Sequence, residues 1–401
     1  MTAQPLKGLK VLDFSKVLAG PICTQYLGDM GAEVIKVETL VRGDDTRTWP
    51  PFRDVEGGDA FGSPFLAVNR NKRSIAIDLS LPQGLELARS LAENADVMVE
   101  SLGPGAAARL GIDAQALSKL NPRLICCSIS GYGSTGPLRS RKGYDLMLQA
   151  FSGMLSITGA PGGAPARSPF SPVDQATGLH ALIGILAALN ERHLTGKGQA
   201  VEVSLFDTAT SLLGYFLQNY WERGTEPQRP GSGHESLCPY DLFETADKPL
   251  FLGIANDALW QAFCRHAGLA NCAADERFKI NGGRVAHRAE VMGAVQAALR
   301  TRGHEDWGRL LDDAGIPWAP MHSLGDLSHH PHTTESGMVF QYMHPVLGEV
   351  KGVSQPVRFA GERPPLRCPP PGLGQHTDQV LSELGLDEER IAALRAQHVI
   401  N

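Results

Sequence analysis

The chain has 401 residues, more than a single hydrophobic core usually organises, so two domains are expected. Hydrophobic residues make up 42% and charged residues 20%, an ordinary globular composition. The net charge of −6 argues against a nucleic-acid partner, whose phosphates favour a basic surface. No uninterrupted run of about 18 apolar residues stands in the sequence, so no membrane partner is expected. The opening residues lack the apolar core of a signal peptide, and seven cysteines form no Cys-x-x-Cys pair. Reduced thiols and a cytoplasmic location are the expectation. The cluster His329-His330-Pro331-His332 lacks an acidic or cysteine partner at ligand spacing, so it is read as loop and no metal is expected.

In chain order, residues 9–14 read as a strand, 20–30 as a helix, 32–37 as a second strand and 74–79 as another. Pro82 opens a helix over 82–94, with Leu85, Leu87, Ala88 and Leu91 at helical spacing. Runs 96–100 and 124–129 have the apolar, β-branched character of buried parallel strands. A helix over 174–193 ends at Thr195-Gly196-Lys197-Gly198, and 201–205 is a strand followed by one long helix through Trp221. The repeated βα order predicts an α/β fold with a Rossmann-like parallel sheet and ligand chemistry at the strand C-termini. Residues 1–222 are assigned to this large domain. Residues 223–325 form a smaller α+β domain with its linkers, and 326–401 return to the large domain. Within that return, 345–371 is proline-rich and extended, and 381–397 is a charged amphipathic helix.

Strand one runs into Ser15-Lys16-Val17-Leu18-Ala19-Gly20-Pro21, where a dinucleotide-binding protein would carry Gly-x-Gly-x-x-Gly. Glu38 stands where a ribose-binding acid could sit, but the fingerprint is absent and hydride transfer is disfavoured. Other segments are more specific. They are Lys10-Val11-Leu12-Asp13 through Gly20-Pro21, Gly31-Ala32-Glu33-Val34-Ile35-Lys36-Val37-Glu38, Asn71-Lys72-Arg73, Gly103-Pro104-Gly105, Gly131-Tyr132-Gly133, Asp174 with Gly178, Thr195-Gly196-Lys197-Gly198-Gln199 and Leu373-Gly374-Gln375-His376-Thr377. With these motifs in order along nearly its whole length, the chain resembles the class III CoA-transferases, the family of formyl-CoA transferase and carnitine CoA-transferase.

The resemblance implies that Asp174 is a covalent nucleophile, with coenzyme A and its acyl thioesters as substrates and no prosthetic group. An aspartate before a helix is also an ordinary N-cap, and the two roles are compatible. Position by position, it implies coenzyme A contacts at Val17, Leu18 and Ala19, at Ile77, Ser101 and Leu102, at Arg109, and at Lys142, Tyr144 and Asp145. Thr39 and Ser80 depart from the family's arginine and lysine, and Arg42, Arg47, Lys72 and Arg73 are candidates to compensate. Gly231-Ser232-Gly233-His234 takes the place of the family's glycine loop with fewer consecutive glycines. A homodimer of interlocked chains is implied as well. The runs 233–240 and 315–320 look closest to succinyl-CoA:glutarate transferases. Succinyl-CoA is therefore the expected donor, and glutarate, itaconate or mesaconate the acceptor, with Arg47, Gly233 and His234 as candidates for the acceptor pocket.

Two other readings share the fold. An α-methylacyl-CoA racemase needs a second acid–base group, a histidine at the position held here by Tyr144, and a tyrosine is a poor base near neutrality. A non-catalytic CoA-binding protein would have no use for Asp174. A thioesterase would need water admitted at the lid.

Overall fold

In the computed structural model, residues 4–53 and 61–401 are described, and the chain divides into two compact units. The first comprises Met1–Met154, Ser168–Arg223 and Pro331–Asn401, and the second Leu155–Arg167 and Gly224–His330. The sequence places the crossovers near 222 and 325, within a few residues of these boundaries. The excursion Leu155–Arg167, assigned from sequence to the large domain, belongs to the second unit.

The first unit is built on β1 (Lys10–Phe14), β2 (Glu33–Glu38), β3 (Lys72–Ala76), β4 (Val97–Glu100), β5 (Ile125–Ser130) and β6 (Ala200–Ser204). They form one sheet in the order β3-β2-β1-β4-β5-β6, with every pairing parallel. This is the doubly wound Rossmann order, and its switch point lies between β1 and β4. The central strands are apolar because both faces are covered. One face carries Val11, Val34, Val97, Ile125 and Ile129 under helices α1 (Ala19–Asp29) and α4 (Pro172–Thr195). The opposite face carries Leu12, Phe14, Ile75 and Met98 under α2 (Pro82–Glu93) and the C-terminal helices, which contribute Val380, Leu381, Ile391 and Leu394. A further helix, α3 (Asp145–Phe151), follows β5.

By length and composition α4 could cross a bilayer. Its inner face, however, carries Val173, Thr177, Gly178, Ala181 and Ile185 into the core against α1.

The C-terminal segment is tied to the sheet by the motif at 373–377. Gly374 N–H donates to Ser74 Oγ at 2.9 Å and His376 N–H to the Ser74 carbonyl at 2.9 Å, while His376 Nδ1 accepts the Ser74 N–H at 3.2 Å. Three expectations change here. The long helix after β6 is two helices, Leu205–Leu212 and Gly214–Arg223, broken beside Gly214. The terminal helix is also two, Thr377–Glu383 and Glu388–Ala396, separated by Gly385 at φ 90°. The extended segment begins within a hairpin of Val339–His344 and Gly348–Val353.

The second unit has its own antiparallel sheet of Tyr240–Phe243, Leu250–Gly253 and Trp318–Pro320. It packs on a core of Trp260, Phe263, Val291, Trp307 and Leu311. In the histidine cluster, read as loop, His329 ends the short helix Leu324–His329 and His330 follows it, while Pro331 and His332 stand on the helix Pro331–Glu335 of the first unit. Among the described residues no group of His, Cys, Asp or Glu is arranged to hold a metal ion.

Candidate active site

The loop from β1 to α1 turns tightly at the switch point. A Cβ at Gly20 would lie 2.1 Å from the Ser15 side chain, so only glycine fits the turn. Val17 adopts a left-handed conformation at φ 69°, rare for a β-branched residue. Its N–H donates to Asp44 Oδ1 at 3.3 Å. The Lys16 N–H donates to Ser101 Oγ at 3.0 Å, so the loops after β1 and β4 meet across the crevice. This brings the segment of Val17, Leu18 and Ala19 close to that of Ser101 and Leu102.

Beneath the loop lies a buried ion network. Lys36 pairs with Asp44 at 2.9 Å, and its Nζ also donates to the Ser15 carbonyl at 2.8 Å. Lys72 pairs with Asp13 at 3.1 Å, with both side chains fully buried. Asp13 also accepts from Thr24 Oγ1 at 2.7 Å and from the Ser15 N–H at 2.9 Å. Burial alone would raise the Asp13 pKa, but Lys72 and Lys36 outweigh it and hold the carboxyl well below its usual range. Burial pushes Lys72 down to about 8 despite its partner. Such pairs orient the loop, because removing either partner leaves an uncompensated charge in the core.

Helix α4 reaches the same crevice. A Cβ at Gly178 would lie 2.5 Å from the Ala19 carbonyl oxygen, so glycine at this position lets α4 close on the start of α1. Asp174 is one turn earlier on α4 and is thereby set beside the β1–α1 loop. It is not the N-cap. Ser171 holds that position, at φ 52°, and Asp174 is the third helical residue. The free N–H groups of the helix start are taken by a carboxylate from another element. Asp145 Oδ2 accepts the Val173 N–H at 2.8 Å and the Asp174 N–H at 3.0 Å. Asp145 Oδ1 accepts from Gln149 Nε2 at 2.5 Å, and the Gln149 amide is in turn bonded to the backbone of Ser168. The Asp174 carboxylate therefore caps nothing and is left partly exposed. Burial, and secondarily the charge of Asp145, raise its pKa from 3.8 to about 7.

The remaining sequence-predicted residues divide. Lys142, Tyr144 and Arg109 are exposed, with Arg109 Nη1 on the Pro104 carbonyl at 3.3 Å. Asp145 was assigned to coenzyme A, but its buried carboxylate is spent on the start of α4. Ile77 is 1% exposed and bridges to Ile400, so its side chain packs in the core. Glu38, weighed above as a ribose acid, is paired bidentately with Arg47 at 2.7 and 2.8 Å and accepts from Ser74 Oγ at 2.6 Å. Arg47 Nη1 bonds the Pro371 carbonyl, and its guanidinium lies 3.7 Å over the Phe65 ring. Of the four basic residues offered as compensation, Lys72 is buried on Asp13, Arg73 pairs with Glu383 at 2.7 Å and Arg47 is held by Glu38. Arg42 is exposed, with no ion pair among the described residues.

In the second unit, Gly231 sits at φ 68° and its N–H donates to the Gly159 carbonyl at 3.1 Å. A Cβ at Gly233 would lie 2.7 Å from the Asp241 carboxylate. His234 Nδ1 accepts the Ser236 N–H at 3.0 Å, and its ring stands edge-on to Tyr240. Sequence reasoning missed Asp44, Gln149 and the Asp13–Lys72 pair. The only available signal was polar residues inside otherwise apolar strand ends.

A parallel Rossmann sheet without the glycine fingerprint, and with a carboxylate of raised pKa on α4, sets the class as a doubly wound α/β protein. Residues 6–377 match the model of CoA-transferase family III, and the chain belongs to that family as a class III CoA-transferase. It is 39% identical over 401 residues to an acyl-CoA transferase of Fusarium pseudograminearum, covering 98% of this chain and 88% of the relative. Identity to the succinyl-CoA:glutarate CoA-transferase of Mus musculus is 38% over 399 residues, covering 99% and 90%. The crystal structure of a CAIB/BAIF family protein from Brucella suis superposes with a TM-score of 0.83 at 36% identity, covering 95% of this chain and all of that one.

Proposed function

We propose that the protein moves coenzyme A from succinyl-CoA to a short dicarboxylate, glutarate first and itaconate or mesaconate next, through covalent intermediates on Asp174. The observation that carries this reading is the position of Asp174. It stands one turn before Gly178, which packs on Ala19, and its carboxylate is released from capping by Asp145 and makes no hydrogen bond to any described residue.

The ionised Asp174 attacks the thioester carbonyl. The C–S bond breaks, CoA leaves as thiolate, and a mixed anhydride remains. The thiolate then attacks the Asp174 carbonyl, releasing succinate and leaving an aspartyl-CoA thioester. An acceptor carboxylate attacks that carbonyl and expels the thiolate, which takes the acyl group from the second anhydride and restores Asp174. A pKa near 7 makes the carboxylate a stronger nucleophile than an ordinary aspartate, at the cost of a smaller ionised fraction. The oxyanions that develop need N–H donors in a dry site. The β1–α1 loop backbone is the assigned source. Val17, Leu18, Ala19, Ser101, Leu102, Arg109, Lys142 and Tyr144 are assigned to coenzyme A, and Gly233 and His234 to the acceptor side.

A homodimer is part of the same reading. Support comes from the apolar residues left exposed on the first unit, among them Tyr144, Met147, Phe151, Leu179, Ile183 and Trp221. A racemase reading is weakened because Tyr144 holds the place of the second base. All seven cysteines are unpaired, which supports a reducing compartment. The function is tested by assaying purified protein with succinyl-CoA against a panel of free acids. Transfer to glutarate, itaconate or mesaconate is expected, and efficient transfer to oxalate or carnitine with none to these dicarboxylates would overturn the assignment.

A further inference from the structure

A second cavity, of about 560 Å³, lies in the first unit at the far end of α1, where Asp29 and Arg70 meet the segment 335–366. Helix α1 has eleven residues, so its ends are about 16 Å apart, and it is the other end, at Ala19, that packs against the start of α4. The cavity is therefore separate from the candidate active site.

Its walls carry three arginines, Arg70, Arg358 and Arg363, and three acids, Asp29, Glu335 and Glu362. Arg70 is neutralised by Asp29 at 2.6 Å. Arg358 and Arg363 are not, and neither pairs with a carboxylate among the described residues, although Glu335 and Glu362 also line the cavity. Both guanidinium groups converge on one neutral acceptor, the Ser336 carbonyl, which Arg363 Nε meets at 3.0 Å and Arg358 through Nη2. Arg358 Nη1 bonds the Gly361 carbonyl at 3.1 Å and Arg363 Nη1 the Gln355 carbonyl at 2.8 Å. Arg363 Nη2 donates to no described residue. Desolvation and the neighbouring charge of Arg358 both lower the Arg363 pKa, as expected when two cations share one wall.

A second, independent observation lies on the same wall. Gln355 is 3% exposed, and its Nε2 has no hydrogen-bond partner among the described residues. A buried amide donor left unmade costs about 1–3 kcal/mol, so such groups are normally satisfied. Two convergent guanidinium groups and an unpaired amide share one complement, an oxyanion able to accept several N–H groups at once. The cavity volume is of the size that holds a small organic ligand.

We propose that this cavity binds a small oxyanion, the carboxylate or phosphate group of a low-molecular-weight ligand, held between Arg358 and Arg363 with the Gln355 amide as a third donor. Inorganic phosphate and succinate are the two probes. Each is titrated calorimetrically into the full-length protein with coenzyme A saturating, and succinate held at the acceptor side is recognised as the part of the binding that R358Q/R363Q leaves unchanged. At least one probe is expected to bind saturably, and R358Q/R363Q to weaken it about tenfold or more, with R358K/R363K intermediate and coenzyme A affinity unchanged. Tighter phosphate assigns a phosphorylated ligand and tighter succinate a dicarboxylate. If the double variant does not fold, R358Q alone is used, because that side chain is exposed. The absence of saturable binding of either probe below about 10 mM, or equal affinity in the folded variant, would overturn the proposal.

Discussion

The carboxylate of Asp145 holds the backbone of Asp174, accepting its N–H at 3.0 Å, so the Asp174 side chain is not needed to cap the helix. The capping task that an aspartate at a helix start ordinarily takes is thus performed by an acid 29 positions earlier. Asp145 satisfies the helix, and its negative charge also raises the Asp174 pKa.

The pH dependence follows from the sign of that shift. With a pKa near 7 in the folded chain, Asp174 is largely protonated below neutrality, so kcat/KM should rise with pH and level off above about 8. Asp145→Asn removes the neighbouring charge and should move the midpoint down, though burial, the larger cause, keeps it above the ordinary value. The stability consequence has the opposite slope. A folded pKa raised above the unfolded 3.8 gives a contribution that is full below pH 3.8 and lost as pH rises through about 7. Asp174→Asn should therefore gain thermal stability relative to the wild type as pH rises over that window. A pH-independent difference between the two would contradict the shift.

The Asp13–Lys72 pair predicts a coupled stability effect. Both side chains are fully buried, so Lys72→Met alone should cost about 3–5 kcal/mol by stranding Asp13. Adding Asp13→Asn should recover much of that loss. Urea denaturation of the two single variants and the double variant checks it, and additive losses would show that the pair is not coupled.

Arg47 separates two roles. As an acceptor-pocket cation it would act chiefly on the acceptor KM. Its bidentate bond to the buried Glu38 predicts instead that Arg47→Ala lowers thermal stability and raises both KM values together, through the loop it anchors. A selective rise in the acceptor KM at unchanged stability would restore the pocket role.

What was legible in the sequence was what local pattern encodes. The sheet strands appear as apolar runs because parallel strands are buried on both faces, and they fall within three residues of the observed bounds. Pro82 and Gly196 mark helix ends through their own backbone restrictions. Asp174 was legible only through the order of motifs around it, since its immediate neighbours suit a capping residue equally well. Asp145 could not be read, because its partners lie 28 and 29 positions away and the contact exists only once α3 and α4 are packed. Lys72, Arg73 and Arg47 were candidates to replace the family's coenzyme A cations because sequence does not say which charges find a partner within the protein. The helix breaks near Leu213 and Gly385 were missed because apolar spacing continues across them.

The central claim is that Asp174 becomes acylated during turnover. Trapping with hydroxylamine during turnover with succinyl-CoA, followed by peptide mass spectrometry, tests it most directly. The account predicts a hydroxamate on Asp174 that requires acyl-CoA, together with loss of transfer but retained coenzyme A binding in Asp174→Ala. An unmodified Asp174 in protein that is actively transferring, or wild-type transfer by Asp174→Ala, would contradict it.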